Sequence, residues 1–252
     1  MRPTVIAGNW KMQGSQAFIA DFAKGLRAAL AGNPLAEPAP LLTIFPPAPF
    51  LTTAQAAFDG LASIGAQNLH TEPSGAYTGE IAAEMLVDLG IGQVLVGHSE
   101  RRALFGETDE MVAAKVGAAI RAGVAPVLCV GESLAQRQAG QAQQVVAQQI
   151  NRVLAANGLD WLAAGMIAYE PVWAIGTGET ATPAQAQEMH SFIRALLAEQ
   201  TSASEQLCLL YGGSVAPDNA AELFAQPDVD GGLVGGASLS VEKYVAIARA
   251  VG

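Results

Sequence analysis

A carboxylate, a histidine and a lysine, each placed just after a short apolar run, carry the chemical interest of this chain. Glu170 follows Ile167-Ala168-Tyr169 and precedes Pro171, a position where desolvation would strengthen it as a base. Alone, it reads first as an ordinary carboxylate at a strand end. The segment after it adds weight: Pro171, Val172, Trp173, Ala174, Ile175, Gly176, Thr177 and Gly178 make a loop with an apolar tip and two glycines to bend on. An apolar tip is costly to expose unless it closes over something, so we read this loop as a lid that excludes water. His98 lies between Gly97 and Ser99-Glu100-Arg101-Arg102, at the start of a predicted helical turn. The positive end of that turn's dipole would depress the imidazole pKa, leaving a neutral ring able to donate a hydrogen bond to a carbonyl. Asn9 and Lys11 close the first apolar run, and the lysine offers a local positive charge. Exposed lysines and structural histidines are common, and His70 and His190 are read as structural.

Two glycine pairs come late in the chain, in Tyr211-Gly212-Gly213-Ser214 and in Val234-Gly235-Gly236-Ala237, each before a helical segment. Glycine lets the backbone approach an anion closely, and successive amides at a helix start favour phosphate. Either pair alone is explained as a tight turn; both together point to a phosphate site. There is no G-x-x-x-x-G-K motif, and Gly176-Thr177-Gly178 lacks the third glycine of a dinucleotide fingerprint. No His, Asp, Glu and Cys cluster has metal-ligand spacing, so neither a metal nor a cofactor is expected.

These residues need a scaffold that brings them together, and the chain offers one. Eight β-rich runs, near residues 4–9, 41–45, 62–66, 93–97, 124–129, 164–169, 207–211 and 230–234, alternate with amphipathic segments such as 15–31, 109–122, 141–156 and 183–200. Thr182-Pro183 reads as a helix cap followed by proline at the first helical position. Near-continuous apolar runs suit parallel strands buried on both faces, and eight βα units are the number that closes a barrel of about 250 residues. The expected fold is therefore α/β, a (β/α)8 barrel in one domain over residues 1–252, with an open doubly wound sheet as the runner-up. Asn9, Lys11, His98, Glu170, Ser214, Gly235 and Gly236 all fall at strand ends, where ligands of parallel sheets bind.

Composition narrows the class of function. Of the 252 residues, 51% are hydrophobic and 14% charged, which suits a packed globular domain. A formal charge of −10 argues against nucleic-acid and anionic-membrane partners and obliges any anionic substrate to be attracted locally. The N-terminus has no signal-peptide core or spanning segment, so a cytoplasmic location is expected. Cys129 and Cys208 sit in apolar runs and read as small buried hydrophobes.

Seven blocks resemble the triosephosphate isomerase family in order along nearly the whole chain: GNWKMQ (8–13), SGAYTGE (74–80), GHSERR (97–102), LCVGE (128–132), AYEPVWAIGTGE (168–179), YGGSV (211–215) and DGGLVGGASL (230–239). The resemblance implies a TIM barrel and a cofactor-free aldose-ketose isomerase that interconverts dihydroxyacetone phosphate and D-glyceraldehyde 3-phosphate, a step of glycolysis and gluconeogenesis. By the same resemblance Glu170 is the base that shuttles the proton, and His98 polarises the carbonyls of the enediolate route. Asn9 and Lys11 orient and neutralise substrate, Glu100 neighbours Lys11, and amides of Gly176, Ser214, Gly235 and Gly236 hold the phosphate. The loop from Gln67 to Gly79, roughly 13 residues without an obvious element, would dock into a second copy with Thr78 reaching the neighbour's site, so a homodimer is expected. Gln13, in place of a usual asparagine, would lie near that interface. Gly232 stands for a usual aromatic or leucine, Ser240 for a frequent lysine, and Arg194 with Asp228 matches a structural ion pair. The rival readings are another phosphate-binding barrel enzyme, such as a phosphoribosyl-type isomerase, and an inactive barrel acting as a binding protein.

Overall fold

Alternation along each strand divides its side chains between two hydrophobic layers, and this division fixes the architecture. Val5, Ala7, Leu95, Val127, Cys129, Met166, Ala168, Cys208, Leu210 and Leu233 pack on one another and on Phe45 in an inner layer. The residues between them, among them Ile6, Val94, Val96, Leu128, Ile167, Leu209 and Val234, belong to an outer layer shared with the helices. Strands buried on both faces are parallel strands covered by crossover helices, which explains their unbroken apolar sequences.

The computed structural model describes residues 2–175 and 180–251. Its strands are β1 (Val5–Asn9), β2 (Leu41–Phe45), β3 (Ser63–Ile64), β4 (Gln93–Val96), β5 (Ala125–Val130), β6 (Met166–Tyr169), β7 (Cys208–Tyr211) and β8 (Gly231–Val234). All pair in parallel, in the order β3-β2-β1-β8-β7-β6-β5-β4. Ala66 closes the ring: its N–H donates to Gln93 O at 2.9 Å, and Leu95 N–H donates to its carbonyl at 2.8 Å. Closure overturns the open sheet and leaves the (β/α)8 barrel.

The connecting helices are α1 (Gln16–Gly32), α2 (Leu51–Ala57), α3 (Ala83–Asp88), α4 (Ser99–Phe105), α5 (Asp109–Ala122), α6 (Leu134–Gln138), α7 (Ala142–Asn157), α8 (Pro183–Ala198), α9 (Ala220–Phe224) and α10 (Val241–Arg249). Local chemistry sets their starts. Ser15 Oγ accepts the Phe18 N–H before α1, and α8 opens on a reciprocal box of Thr182 and Gln185 with Pro183 in its first turn. Strand β3 is shorter than the five residues expected. The inferred ion pair is present, Arg194 Nε to Asp228 Oδ1 at 2.7 Å, and a second carboxylate, Asp230, meets the same guanidinium at 2.8 Å.

Candidate active site

The period of two that builds the inner layer also aims the site. In β6 the inward residues are Met166 and Ala168, so the next in phase is Glu170; in β1 Val5 and Ala7 lead to Asn9. Each inward row thus ends in a polar group at the carboxyl rim of the barrel. His98 needs a different device because it follows β4 out of phase. Gly97 turns the chain with φ +74°, and a Cβ there would lie 2.9 Å from both Val112 methyls, so a side chain has neither the conformation nor the room. Arg102 anchors the turn by donating to Gly97 O at 2.8 Å and to Cys129 O at 3.3 Å. Lys11 is held at φ 52°, uncommon for a residue with a side chain. Its N–H donates to Asn9 Oδ1 at 3.0 Å, and Gln67 Nε2 donates to its carbonyl at 2.8 Å.

Glu170 is 1% exposed, a position that a carboxylate occupies only when well partnered. Three donors meet it: Ser99 N–H at 2.9 Å, Ser99 Oγ at 3.1 Å and His98 Nε2 at 3.0 Å. On the other side of the imidazole, Glu100 N–H donates to Nδ1 at 3.2 Å, which puts the ring proton on Nε2. The expected lowering of the His98 pKa is corrected here. Burial does lower it, but the adjoining Glu170 carboxylate, its hydrogen bond and the charge of Glu100 outweigh burial, so the pKa stands above its ordinary value. The helix dipole is outweighed because a carboxylate from the end of another strand sits against Nε2. Lys11 Nζ pairs with Glu100 Oε1 at 2.5 Å, as the resemblance implied.

Asn9, Lys11, His98, Glu170, Ser214, Gly235 and Gly236 line one cavity of about 380 Å³, of a size for a small ligand. The turn after β8 is tied to β1: Trp10 Nε1 donates to Ser238 O at 3.0 Å, and Ser238 Oγ donates to Gly235 O at 2.7 Å. Gln13 and Thr78 are exposed and lie outside this cavity. Of the lid residues, Val172–Ala174 form a short turn, Ala174 is buried and Ile175 lines the cavity. Gly176, Thr177 and Gly178 fall outside the described residues.

Residue-by-residue reading of the sequence missed several groups. Ser99, which holds the carboxylate, hides in the first turn of α4. Glu132 is wholly buried and gathers three donors on Oε1: Trp173 Nε1 at 2.9 Å, Tyr169 OH at 3.1 Å and Arg137 at 3.2 Å. Val172 N–H also donates to its carbonyl at 3.2 Å, and the Arg137 guanidinium lies 4.8 Å from the Trp173 ring. This arrangement ties the start of the loop read as a lid to the end of β5. The signal available for it was a glutamate just past an apolar strand, the same signal that found Glu170.

Cys129 and Cys208 are free and buried, and burial pushes both thiols up, Cys208 to about 11. Among the described residues no group of three or more His, Cys, Asp or Glu is placed to hold a metal ion, and no helix is long and apolar enough to cross a membrane.

Comparison with known proteins gives a consistent result. The family described as triosephosphate isomerase matches residues 4–251. The triosephosphate isomerase of Thiobacillus denitrificans is 52% identical over 99% of both chains. That of Xanthomonas oryzae pv. oryzae is 53% identical over 99% of this chain and 98% of its own. The Hydrogenovibrio crunogenus enzyme is 49% identical over 100% of this chain and 99% of its own.

Proposed function

The chain belongs to the triosephosphate isomerase family, and from that premise we propose how its own residues interconvert dihydroxyacetone phosphate and D-glyceraldehyde 3-phosphate. The observation that carries the assignment is the contact of Glu170 with His98 Nε2 at 3.0 Å, in a cavity walled on its far side by the glycine turns after β7 and β8. The amides of Ser214, Gly235 and Gly236 receive the phosphate; Gly176, the fourth amide the resemblance implies, lies outside the described residues. The carbonyl then lies toward His98, Asn9 and Lys11.

Glu170 removes a proton from the carbon beside the carbonyl. The C–H electrons become the second bond of the enediolate, and the carbonyl π electrons move onto oxygen. His98 Nε2–H and the Lys11 ammonium stabilise that charge, which forms where water is excluded and electrostatic interactions are strong. The proton returns to the neighbouring carbon while a second proton moves between the two oxygens. One carbon is oxidised and the other reduced, so the atoms balance without a co-reactant. In the resting arrangement Glu170 leans on Ser99 and His98, so substrate must draw the carboxylate away from the ring. Losing that contact removes the first of the influences that raise the His98 pKa, while burial, which lowers it, persists.

A homodimer is part of the proposal. Met12, Leu104 and Phe105 are 94%, 75% and 66% exposed, a density of large apolar groups that favours a protein partner. Met12 and Phe105 border a hollow of about 470 Å³ that shares Asn9, Lys11 and His98 with the substrate cavity. Residues 72–80 are exposed on the surface, available to enter that hollow in a second copy and bring Thr78 near its site, with Gln13 at the margin. We place the enzyme in the cytoplasm, with no nucleic-acid or membrane partner.

A coupled assay of the purified protein with glyceraldehyde 3-phosphate tests the function, run beside Glu170→Gln. The wild type turns over and the variant loses about 10²- to 10⁴-fold in kcat, the range a positioned base supplies. Absence of wild-type turnover would overturn the function; an undiminished variant would overturn the choice of base.

A further inference from the structure

Two lysines line the substrate cavity, and only Lys11 is explained so far. The other, Lys243, comes from the first turn of α10 and lines the same cavity as Gly235 and Gly236. Its position forgoes a device the chain uses at two other helices. Ser133 with Gln136 and Thr182 with Gln185 form reciprocal capping boxes at α6 and α8, each with glutamine at the third helical position. At α10 the cap is Ser240, whose Oγ accepts the Lys243 N–H at 3.3 Å, but the third position holds lysine. A cation there faces the positive end of the helix dipole and forgoes the returning side-chain bond. Local rules are broken in this way where function asks for it.

The charge is also uncommitted. Lys11 is paired with Glu100 at 2.5 Å, whereas no described carboxylate forms an ion pair with Lys243. Its neighbour Glu242 is engaged by Ser240 Oγ at 2.7 Å. The charge of Lys11 is shared between Glu100 and the Glu170 carboxylate of the cavity lining, so Lys243 supplies the balancing positive charge at the mouth in a chain of net charge −10. Its exposed, flexible stem suits capture of an arriving anion more than rigid positioning. Ser240, where the family resemblance puts a frequent lysine, keeps the helix cap while the cation comes from one turn further on.

We propose that Lys243 is a substrate-binding residue: a second cation that draws the phosphate dianion to the cavity mouth and delivers it to the amides of Gly235 and Gly236. The inference rests on the phosphate-ester substrate proposed above. It is tested by initial rates with glyceraldehyde 3-phosphate for wild type, Lys243→Gln and Lys243→Arg across ionic strength, with inorganic phosphate as competitive inhibitor. At about 10 mM ionic strength, where screening is weak, the glutamine variant loses roughly fivefold in kcat/KM with kcat unchanged. Its inhibition constant for inorganic phosphate rises by a similar factor. At about 0.3 M the difference shrinks below roughly twofold, and arginine restores the wild-type behaviour throughout. The glutamine variant also completes a capping box with Ser240, so its Tm equals or exceeds the wild-type value. Equal kcat/KM at low ionic strength, a loss that salt does not reduce, or a fall confined to kcat would each overturn the proposal. Wild-type protein without turnover would instead refute the isomerase reading, and inorganic phosphate binding to the same variants by calorimetry would still decide the role of Lys243.

Discussion

Gly131→Ala, a single methyl added beyond the end of β5, should disable the proposed base without touching its side chain. A Cβ at Gly131 would lie 1.8 Å from Glu170 O and 3.3 Å from Glu170 Cα, whereas real Cβ contacts essentially never fall below 3.0 Å. One of the two segments therefore moves by about 1.2 Å, the difference between those distances. The β5 side is held: Gly131 N–H donates to Gln149 Oε1 at 2.8 Å, and its carbonyl accepts from Gln149 Nε2 at 3.1 Å. The displacement then falls on Glu170, whose bonds to Ser99 and His98 span 2.9–3.1 Å and have no slack for a shift of that size. Misplacing a reacting group by about 1 Å costs on the order of 10² in rate. Overpacking adds roughly 1–3 kcal/mol of destabilisation, which at about 2–4 °C per kcal/mol for a chain of this size lowers Tm by several degrees. Steady-state kinetics with glyceraldehyde 3-phosphate and a thermal melt read both effects. Gly92→Ala is the control, because nothing lies within 4 Å of a Cβ there. A Gly131→Ala enzyme that keeps kcat within about threefold of wild type would refute the claim that this backbone contact sets the base.

Two further outcomes follow from the same structure. His190 is buried, its Nδ1 lies 3.0 Å from Asp228 O, and burial pushes its pKa down to about 4. The unfolded chain, titrating near 6.5, binds the proton first, so stability is complete above about pH 6.5 and is lost as pH falls toward 4, by about 3 kcal/mol. Melts from pH 7 to 4 check this, and His190→Gln should show a shallower acid decline; an identical decline would refute it. Lys11→Ala should raise KM for the triose phosphate severely and reduce kcat, because the ammonium lies at the proposed carbonyl end of the cavity; an unchanged KM would contradict that role.

The barrel was legible because its strands are buried on both sides and its helix starts carry strong local signals. Ser15, Thr182 and Pro183 stand where the caps fall, and Asp109–Ala122 ends as expected at Gly123 in a left-handed turn. The residues proposed to react could be picked out for a related reason: inward phase and strand end coincide at Asn9 and Glu170. What stayed hidden depends on tertiary approach. Ser99 holds Glu170 across 71 positions of sequence, and Glu132 meets Trp173 across 41. The His98 titration was misjudged because the residue on its second nitrogen comes from another strand. Lys243 reads as an ordinary surface lysine until the fold places it in the lining of the same cavity as the glycine pairs.

The closure of the barrel at Ala66 has a mechanical meaning. A ring of strands resists opening only as well as its thinnest joins, and this one passes through a single residue with two backbone hydrogen bonds. Just past it on one side is Gln67, which holds the Lys11 carbonyl, and the strand on the other side runs into His98. Opening of this seam, a local event that needs no global unfolding, would pull the lysine and the histidine apart at once. The proposed site thus straddles one of the narrow joins of the ring, so a loss of activity would report an opening there before the fold as a whole is lost.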